Sequence, residues 1–228
     1  MNPNNLKNIQ CVIFDCDGVL VDSEILASQV ALRMLAPYGF TMNPSEYAHK
    51  FAGKVEEDIL SIIECDYRVD LPDHFLHKLL LEIEYALDHE LQPIPNIKQA
   101  VEQVPVTKAV VSNSRLVKVI SSLKVAGLSD VFGQRLFAAE MVERPKPAPD
   151  VYLYAARQLA TDPTHCLVIE DSQSGVRAAH EAGMMVIGFL AASHIPEGHE
   201  QTLRQEGAFT TVANAEELRT LFQEIFDK

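Results

Sequence analysis

The chain lacks tryptophan and has only four cysteines among its 228 residues. These four show neither C-x-x-C spacing nor a cysteine–histidine pattern, so neither a zinc site nor a disulfide framework is expected. Two of them fall in predicted strands, which favours buried thiols in a reducing cytoplasm. The apolar runs are no longer than a strand and residues 1–10 are polar. The sequence therefore predicts neither a membrane span nor a secretion signal.

Positive charge is also scarce. Nineteen Lys and Arg residues face 32 Asp and Glu residues, which gives 19 − 32 = −13 at pH 7. A net negative charge of this size argues against nucleic acid or an anionic membrane surface as partners. An anionic substrate would have to be attracted by a local positive field. The length of the chain allows one α/β core with a smaller insertion.

The most informative segment is C-V-I-F-D-C-D-G at residues 11–18. Its first four residues predict a buried strand, and Asp15 and Asp17 follow directly. Side chains alternate along an extended chain, so both carboxylates start on the same side and repel each other. A bound cation, or a proton held for chemistry, would offset that repulsion. Gly18 permits the sharp turn that comes next.

Three later segments each present polar groups after a short apolar run or within a stiff, proline-framed loop. In chain order, these polar groups are Ser112–Asn113, Lys146 and Glu170–Asp171. In an open α/β sheet, ligands bind outside the carboxyl ends of the strands. The sequence therefore predicts that these groups meet at one edge of a sheet, beside the first pair of acids.

The remaining pattern predicts two domains. Strand-like runs alternate with helical periods in residues 1–20 and 91–228, which predicts a parallel sheet with helices on both faces. Residues 21–90 have helical periods only, and we expect them to form an all-helical domain inserted after the first strand. We expect the clearest apolar stripe to line the core of this insertion. It consists of Leu76, Leu79, Leu80, Ile83 and Leu87.

Taken together and in this order, the four segments resemble the signature motifs of the haloacid dehalogenase-like hydrolase superfamily. The string D-x-D-G-V-L-V-D-S-E at 15–24 is similar to the branch of phosphatases and β-phosphoglucomutases that carry a helical cap. The resemblance covers essentially the whole chain. It implies a Rossmann-like α/β core with residues 21–90 as the cap. The oligomeric state, a monomer or a small homo-oligomer, stays open.

The resemblance also implies the roles of the core residues. Asp15 is the expected nucleophile, which forms an aspartyl-phosphate, and Asp17 is the expected general acid and base. Ser112 and the backbone amide of Asn113 are expected to hold the phosphoryl oxygens, and Lys146 is expected to supply positive charge. These roles agree with the chemistry, since an anion that attacks a phosphate needs charge neutralisation more than basicity.

The expected cofactor is Mg²⁺, because hard oxygen ligands suit this small octahedral ion. By resemblance its ligands are the Asp15 carboxylate, the backbone carbonyl of Asp17 and the Asp171 carboxylate. Glu170 is expected either to bind the metal itself or to hold a metal-bound water. These four residues are therefore the candidate metal-site residues.

Substrate selection is expected to come from the cap and from the rim of the core. The resemblance points to Gly53 and Lys54 in a cap loop, and to Arg115 as a cation for a distal anionic group. For both basic residues, a solvated surface position is the competing interpretation. Glu24 is expected to cap the first helix of the insertion or, alternatively, to orient the leaving group.

Departures from the family pattern narrow the expected reaction. Ala27 stands where β-phosphoglucomutases carry a histidine, and Glu56 replaces a basic residue of their cap loop, so a mutase is disfavoured. Asp17 disfavours dehalogenation and phosphonate hydrolysis, whose leaving groups need no proton from that position. The expected function is a Mg²⁺-dependent phosphatase of a small phosphorylated metabolite, such as a sugar, sugar-acid or polyol phosphate. The alternatives are a β-phosphoglucomutase-like enzyme, an inorganic pyrophosphatase, and a phosphometabolite-binding regulator without turnover.

Overall fold

A computed structural model describes residues 8–51 and 54–226 of the protein. Its centre is a sheet of six parallel strands in the order β3–β2–β1–β4–β5–β6. This is the strand order of a Rossmann fold, and the predicted Rossmann-like α/β core is confirmed. The strands are β1 (Cys11–Phe14), β2 (Thr107–Ser112), β3 (Leu136–Ala138), β4 (Cys166–Glu170), β5 (Met185–Phe189) and β6 (Thr210–Val212).

The central strand β1 is buried because strands cover both of its edges and helices cover both of its faces. It pairs with β2 on one side and with β4 on the other. Ile13 packs in a cluster with Tyr152 on one face of the sheet. On the other face, Phe14 makes edge-on contacts with Phe132 and Phe222. A continuous apolar run of this kind is typical of a parallel strand that is covered on both faces.

Helices surround the sheet, as the alternating pattern predicts. Those of the described residues are α5 (Ile97–Glu102), α6 (Leu116–Val125), α7 (Ser129–Phe132), α8 (Asp150–Gln158), α9 (Gln173–Glu181), α10 (His199–Glu206) and α11 (Ala215–Phe226). Helices α7 and α10 were not predicted from the sequence. Leu203 is the one apolar residue of α10, so that helix leaves no apolar stripe in the sequence. No helix within 8–51 or 54–226 is both long and apolar enough to cross a membrane.

The chain divides into two compact units. The sheet unit comprises residues 8–21, 92–192 and 197–226, and the helical unit comprises the described residues of 22–91 together with 193–196. The helices of the second unit are α1 (Ser23–Leu35), α2 (Pro44–Phe51), α3 (Glu56–Tyr67) and α4 (Phe75–His89).

The segment 193–196 was not expected in the helical unit. Ser193 donates hydrogen bonds from its backbone N–H and its hydroxyl to the Asp22 carboxylate, just before α1. The hydroxyl of Ser45 donates to the backbone carbonyl of Ser193 at 3.1 Å. These polar contacts explain why four residues distant in the sequence belong to this unit.

The predicted apolar stripe of α4 is wrong at one position. Leu79 and Ile83 are buried as expected, but Leu80 is 45% exposed. The stripe that α4 actually buries also includes Phe75 and Ala86. Position 80 lies about 100° around the helix from position 79, so the two leucines cannot both face the centre of a narrow core.

Candidate active site

The candidate site lies at the carboxyl edge of the sheet. Asp15 follows β1, Ser112 ends β2 and Glu170 ends β4, and these three strands are neighbours. The strand order reverses between β1 and β4, which is the place where open α/β sheets bind their ligands. The topology therefore brings together the motifs that the sequence analysis grouped at one edge.

Lys146 links the acids from two different strands. Its Nζ donates to Asp15 Oδ1 at 2.6 Å, to Glu170 Oε1 at 2.7 Å and to the backbone carbonyl of Val111 at 3.1 Å. The Lys146 side chain is only 2% exposed. Burial by itself lowers the pKa of Lys146, but the attraction of Asp15 and Glu170 outweighs it and raises the pKa well above its ordinary value. Lys146 therefore stays charged.

Asp15 is buried together with this cation. Burial raises the pKa of Asp15 well above its ordinary value, and the neighbouring Lys146 opposes that rise. The negative charges of Glu170 and Asp17 add to the rise. Additional positive charge near Asp15 would therefore favour its ionised form, which is the form that can act as a nucleophile.

The carboxylate of Glu170 is enclosed by donors. Its Oε1 accepts from Lys146 and, at 3.2 Å, from the hydroxyl of Tyr152. Its Oε2 accepts from the backbone N–H and the hydroxyl of Ser172, at 2.9 and 3.0 Å. A carboxylate has about four lone-pair positions, so a direct bond from Glu170 to a metal would displace one of these donors. A metal-bound water would have to displace one in the same way, so in this geometry the contacts of Glu170 are with Lys146, Tyr152 and Ser172.

The acids form a group that fits a divalent metal ion. Carboxylate oxygens of Asp15, Glu170 and Asp171 all lie within 4.8 Å of one another. The three carboxylates carry more negative charge than Lys146 alone neutralises. Their hard oxygens match the ligands that Mg²⁺ prefers. The donor set therefore fits the predicted metal.

Two glycines allow the acids to approach the backbone so closely. A Cβ on Gly18, whose φ is +85°, would lie 1.9 Å from Asp171 Oδ2. A Cβ on Gly175 would lie 1.6 Å from Glu170 Oε1. Real carbon and oxygen atoms do not approach to these distances, so each glycine is required by the acid beside it, and Gly18 is also required by its positive φ.

The side chain of Asp17 is held by the β2–α6 region. Its Oδ2 accepts from the hydroxyl of Ser114 at 2.7 Å and from that of Ser112 at 3.3 Å. Its Oδ1 lies 3.1 Å from Nζ of Lys118, on the first turn of α6. Asp17 and Asp15, though two residues apart, are therefore paired with different lysines.

Asn113 fixes the loop that carries Lys146. Its side-chain amide donates to the Lys146 backbone carbonyl at 3.1 Å, and its side-chain oxygen accepts from the Lys146 backbone N–H at 3.0 Å. The peptide bond between Lys146 and Pro147 is cis. This pairing of the Asn113 side chain with the lysine loop was not predicted from the sequence.

In the sheet unit, the side chain of Arg115 lies apart from this cluster of contacts. Arg115 is 83% exposed and its Nε is 3.8 Å from Glu140 Oε2. In the helical unit, Lys54 is exposed. Glu24 lies in the first turn of α1, and its Oε2 is 3.3 Å from Nε2 of His194. Gly53 lies outside the described residues. The substrate-binding roles of these residues stay predictions.

Several contact residues were missed from the sequence. They are Ser114, Lys118, Tyr152, Ser172 and His199. His199 donates from Nε2 to the backbone carbonyl of Asp171 at 2.6 Å. No sequence signal pointed to it, because α10 itself was not predicted. No local pattern pointed to Lys118 either, since Ser114 lies before the helix that carries Lys118.

Comparisons with known proteins agree with the motifs. The family model described as haloacid dehalogenase-like hydrolase matches residues 12–189. The 6-phosphogluconate phosphatase of Escherichia coli (strain K12) is 30% identical over 190 residues, which cover 83% of this chain and 86% of that protein.

Solved structures give the same result. A HAD family hydrolase from Deinococcus radiodurans R1, solved with bound phosphate and sodium, is 32% identical with a TM-score of 0.89, covering 96% of this chain and 97% of that chain. A putative β-phosphoglucomutase from Thermotoga maritima is 26% identical with a TM-score of 0.80, covering 96% and 100% respectively. The motifs, the fold and these matches establish that the chain is an enzyme that belongs to the haloacid dehalogenase-like hydrolase family.

Proposed function

We propose that this protein is a phosphatase that hydrolyses a small phosphorylated metabolite through an aspartyl-phosphate on Asp15. The chain is a phosphoric monoester hydrolase, and its substrate is a sugar, sugar-acid or polyol phosphate. The observation that carries the proposal is the buried contact of Asp15 with Lys146 beside the acids of β4. The similarity to a 6-phosphogluconate phosphatase supports the substrate class.

In the first step, a carboxylate oxygen of Asp15 attacks phosphorus and the bond to the ester oxygen breaks. Asp17 gives its proton to that oxygen, so the leaving group departs as an alcohol. Lys146 remains beside Asp15 and stabilises the negative charge that gathers on the phosphoryl oxygens. The hydroxyl of Ser112 and the backbone N–H of Asn113 hold these oxygens.

In the second step, Asp17 takes a proton from a water molecule, whose oxygen attacks phosphorus. The bond between phosphorus and the Asp15 oxygen breaks, which releases inorganic phosphate and restores the carboxylate. One residue thus serves first as an acid and then as a base. The site returns to its starting protonation after each cycle.

Mg²⁺ is the proposed cofactor. Asp15, Asp171 and the backbone carbonyl of Asp17 would hold it, and Glu170 would hold one of its waters. When bound, it supplies positive charge that offsets the repulsion between the Asp15 carboxylate and the phosphate.

We further propose that the inserted residues 21–90 act as a cap that selects the substrate, with 1–20 and 91–228 as the catalytic core. Gly53 and Lys54 are the proposed cap-loop contacts, and Glu24 and Arg115 the proposed contacts for the leaving group or a distal anion. A cytoplasmic location is part of this proposal, and it is supported by four cysteines that are all free.

A β-phosphoglucomutase-like reaction is the second candidate, because one similar structure carries that name. Ala27 and Glu56 disfavour it, since they replace the histidine and the basic residue of that branch. A mutase would interconvert sugar phosphates, whereas a phosphatase releases inorganic phosphate. The two reactions can therefore be separated with a single substrate.

The test is to measure phosphate release by the purified protein with Mg²⁺. The panel should contain 6-phosphogluconate, hexose phosphates, glycerol phosphate, p-nitrophenyl phosphate and pyrophosphate. We expect turnover of one or more monoesters, and we expect Asp15→Asn to abolish it. Asp130→Asn, the same change at an exposed position, should have no effect. A wild-type protein with no turnover, or an active Asp15→Asn variant, would contradict the proposal.

A further inference from the structure

The contacts of Asp17 carry an inference beyond the motif residues. Both oxygens of its carboxylate are engaged, and their partners come from the segment that begins α6. We propose that Ser114 and Lys118 are positioning residues, which hold the Asp17 carboxyl group in the orientation needed for proton transfer. This inference rests on the proposed phosphatase function.

The two residues act on different atoms of Asp17. Ser114 Oγ donates to Oδ2 at 2.7 Å, and Lys118 Nζ lies 3.1 Å from Oδ1. Donors on both oxygens fix the rotation of the carboxyl group as well as its place. Proton transfer requires a fixed position and a fixed rotation of the carboxyl group, since the proton must lie on the line between donor and acceptor.

The donors themselves are tied to a rigid element. Helix α6 begins at Leu116, so Lys118 lies in its first turn and Ser114 lies two residues before it. The backbone N–H of Ser114 donates to Ser112 Oγ at 2.9 Å, which ties the loop to the end of β2. Because β2 pairs with β1, this region starts beside the strand that leads to Asp17.

The environment of Lys118 differs from that of Lys146. The Lys118 side chain is 36% exposed, whereas Lys146 is enclosed with Asp15 and Glu170. The partly exposed lysine holds the acid, while the enclosed lysine holds the nucleophile. The two acids of the D-x-D motif therefore have separate supports for separate tasks.

A distinct kinetic signature follows from this role. An alkyl phosphate has a poor leaving group that needs a proton from Asp17, but p-nitrophenyl phosphate releases a stable phenolate that does not. The constant kcat/KM covers the steps up to formation of the phosphoenzyme. A loss of acid positioning should therefore lower kcat/KM for the alkyl substrate and hardly change it for the aryl one.

The experiment compares Lys118→Met, Lys118→Arg and Ser114→Ala with the wild type on both kinds of substrate. We expect Lys118→Met to lower kcat/KM about 30-fold for the alkyl phosphate and less than about 3-fold for the aryl phosphate. Ser114→Ala should show the same pattern with about a 10-fold loss, because Lys118 still holds Oδ1. Lys118→Arg, which keeps a cationic donor, should recover most of the activity.

Lys124→Met is the matched control, since it makes the same change at an exposed position on the same helix. We expect it to leave both constants unchanged. Circular dichroism and a melting curve check the fold of each variant, and Ser114→Ala tests the inference independently if Lys118→Met does not fold.

A double-mutant cycle gives the decisive result. If Lys118 acts through Asp17, then Lys118→Met should have no further effect on alkyl turnover in an Asp17→Asn background. A full additional loss in that background would overturn the inference, as would an equal loss on both substrates or no loss on either. A wild type without phosphatase activity would instead overturn the proposed function, so the two failures are distinguishable.

Discussion

Two clusters of ion pairs in the sheet unit differ in burial. At the carboxyl edge of the sheet, Lys146 is enclosed with Asp15 and Glu170. On the surface, Glu206 of α10 accepts from Arg177 and Gln173 of α9, and Arg177 remains 46% exposed. Water reaches Arg177 and screens the surface cluster more than the buried one. A lost charge is therefore replaced by solvent at the surface, whereas in the interior it leaves its partners unsatisfied.

This difference in burial indicates which of the two clusters has a catalytic role. A buried ion pair is weak support for stability, since well-packed apolar residues often stabilise a core as much or more. Buried charged residues are typical of sites whose chemistry requires the charge. The surface cluster has the simpler role of joining two adjacent helices.

Replacing Lys146 by Met should have the largest effect. Methionine keeps most of the apolar volume but removes the ammonium group that Asp15 and Glu170 share. We expect phosphate release to fall about 1,000-fold. In metal-free buffer, we expect the free energy of unfolding, measured in urea, to fall by about 3 kcal/mol.

The matched control is Lys98→Met, which removes the exposed lysine of the Lys98–Glu102 pair on α5. Its effect on the free energy of unfolding should be less than about 1 kcal/mol. Its activity should equal that of the wild type. If the two variants lost equal stability, the contrast between buried and exposed charges would be wrong.

Gly175→Ala should disturb the buried cluster without removing a charge. The added Cβ would meet Glu170 Oε1 at 1.6 Å, so the carboxylate must move away from Lys146 and Tyr152. Alanine is normally favoured over glycine in a helix by about 1 kcal/mol. We nevertheless expect a lower melting temperature and an activity reduced at least about 10-fold. Glu181→Ala, at an exposed position on the same helix, is the control, and a stabilised, active Gly175→Ala would refute this packing argument.

His199→Ala should weaken metal binding more than substrate binding. The imidazole holds the backbone carbonyl of Asp171, and loss of such a support commonly weakens metal affinity about 10-fold. A direct titration with Mn²⁺, in the absence of substrate, measures this change. His199→Gln, which keeps a side-chain N–H donor, should bind better than His199→Ala, and His77→Ala on the exposed face of α4 should bind like the wild type. Unchanged affinity in His199→Ala would show that Asp171 needs no such support.

Glu206→Gln should produce the smallest effect, a loss of stability near neutral pH that disappears in acid. The hydrogen bonds from Arg177 and then Gln173 lower the pKa of Glu206 from 4.5 to about 2. A carboxyl group whose pKa is lower in the folded than in the unfolded protein stabilises the fold at every pH above its unfolded pKa. This stability is lost as the pH falls from about 4.5 towards 2. Urea denaturation at several pH values should therefore show that the free energy of unfolding falls less steeply with decreasing pH in Glu206→Gln than in the wild type. Parallel curves for the two proteins would contradict this assignment.

The strands were the most predictable part of the fold. The runs at 166–170 and 185–189 coincide with β4 and β5, because parallel strands covered on both faces appear as continuous apolar segments. Helix α10 was not predictable in this way, since Leu203 is its one apolar residue. The segment 193–196 joins the helical unit through hydrogen bonds that no periodicity encodes.

The site was predictable where a motif ends a strand. Asp15, Ser112 and Glu170 could be grouped because neighbouring parallel strands end at the same edge. The contacts between Asp17 and Ser114 join residues 97 positions apart, and they depend on how β2 and α6 are placed beside β1. Distances of this kind follow from the assembled sheet, so Lys118, Tyr152 and His199 could not be found from local patterns.

The most direct test of the central claim is to look for the phosphoryl group on Asp15. The protein should be mixed with an excess of a substrate that it turns over, quenched in acid within one turnover, digested and analysed by mass spectrometry. We predict one added phosphoryl group on Asp15 in the wild type, and none in the Asp15→Asn variant. Turnover with an unmodified Asp15, or with the group on another residue, would contradict the mechanism.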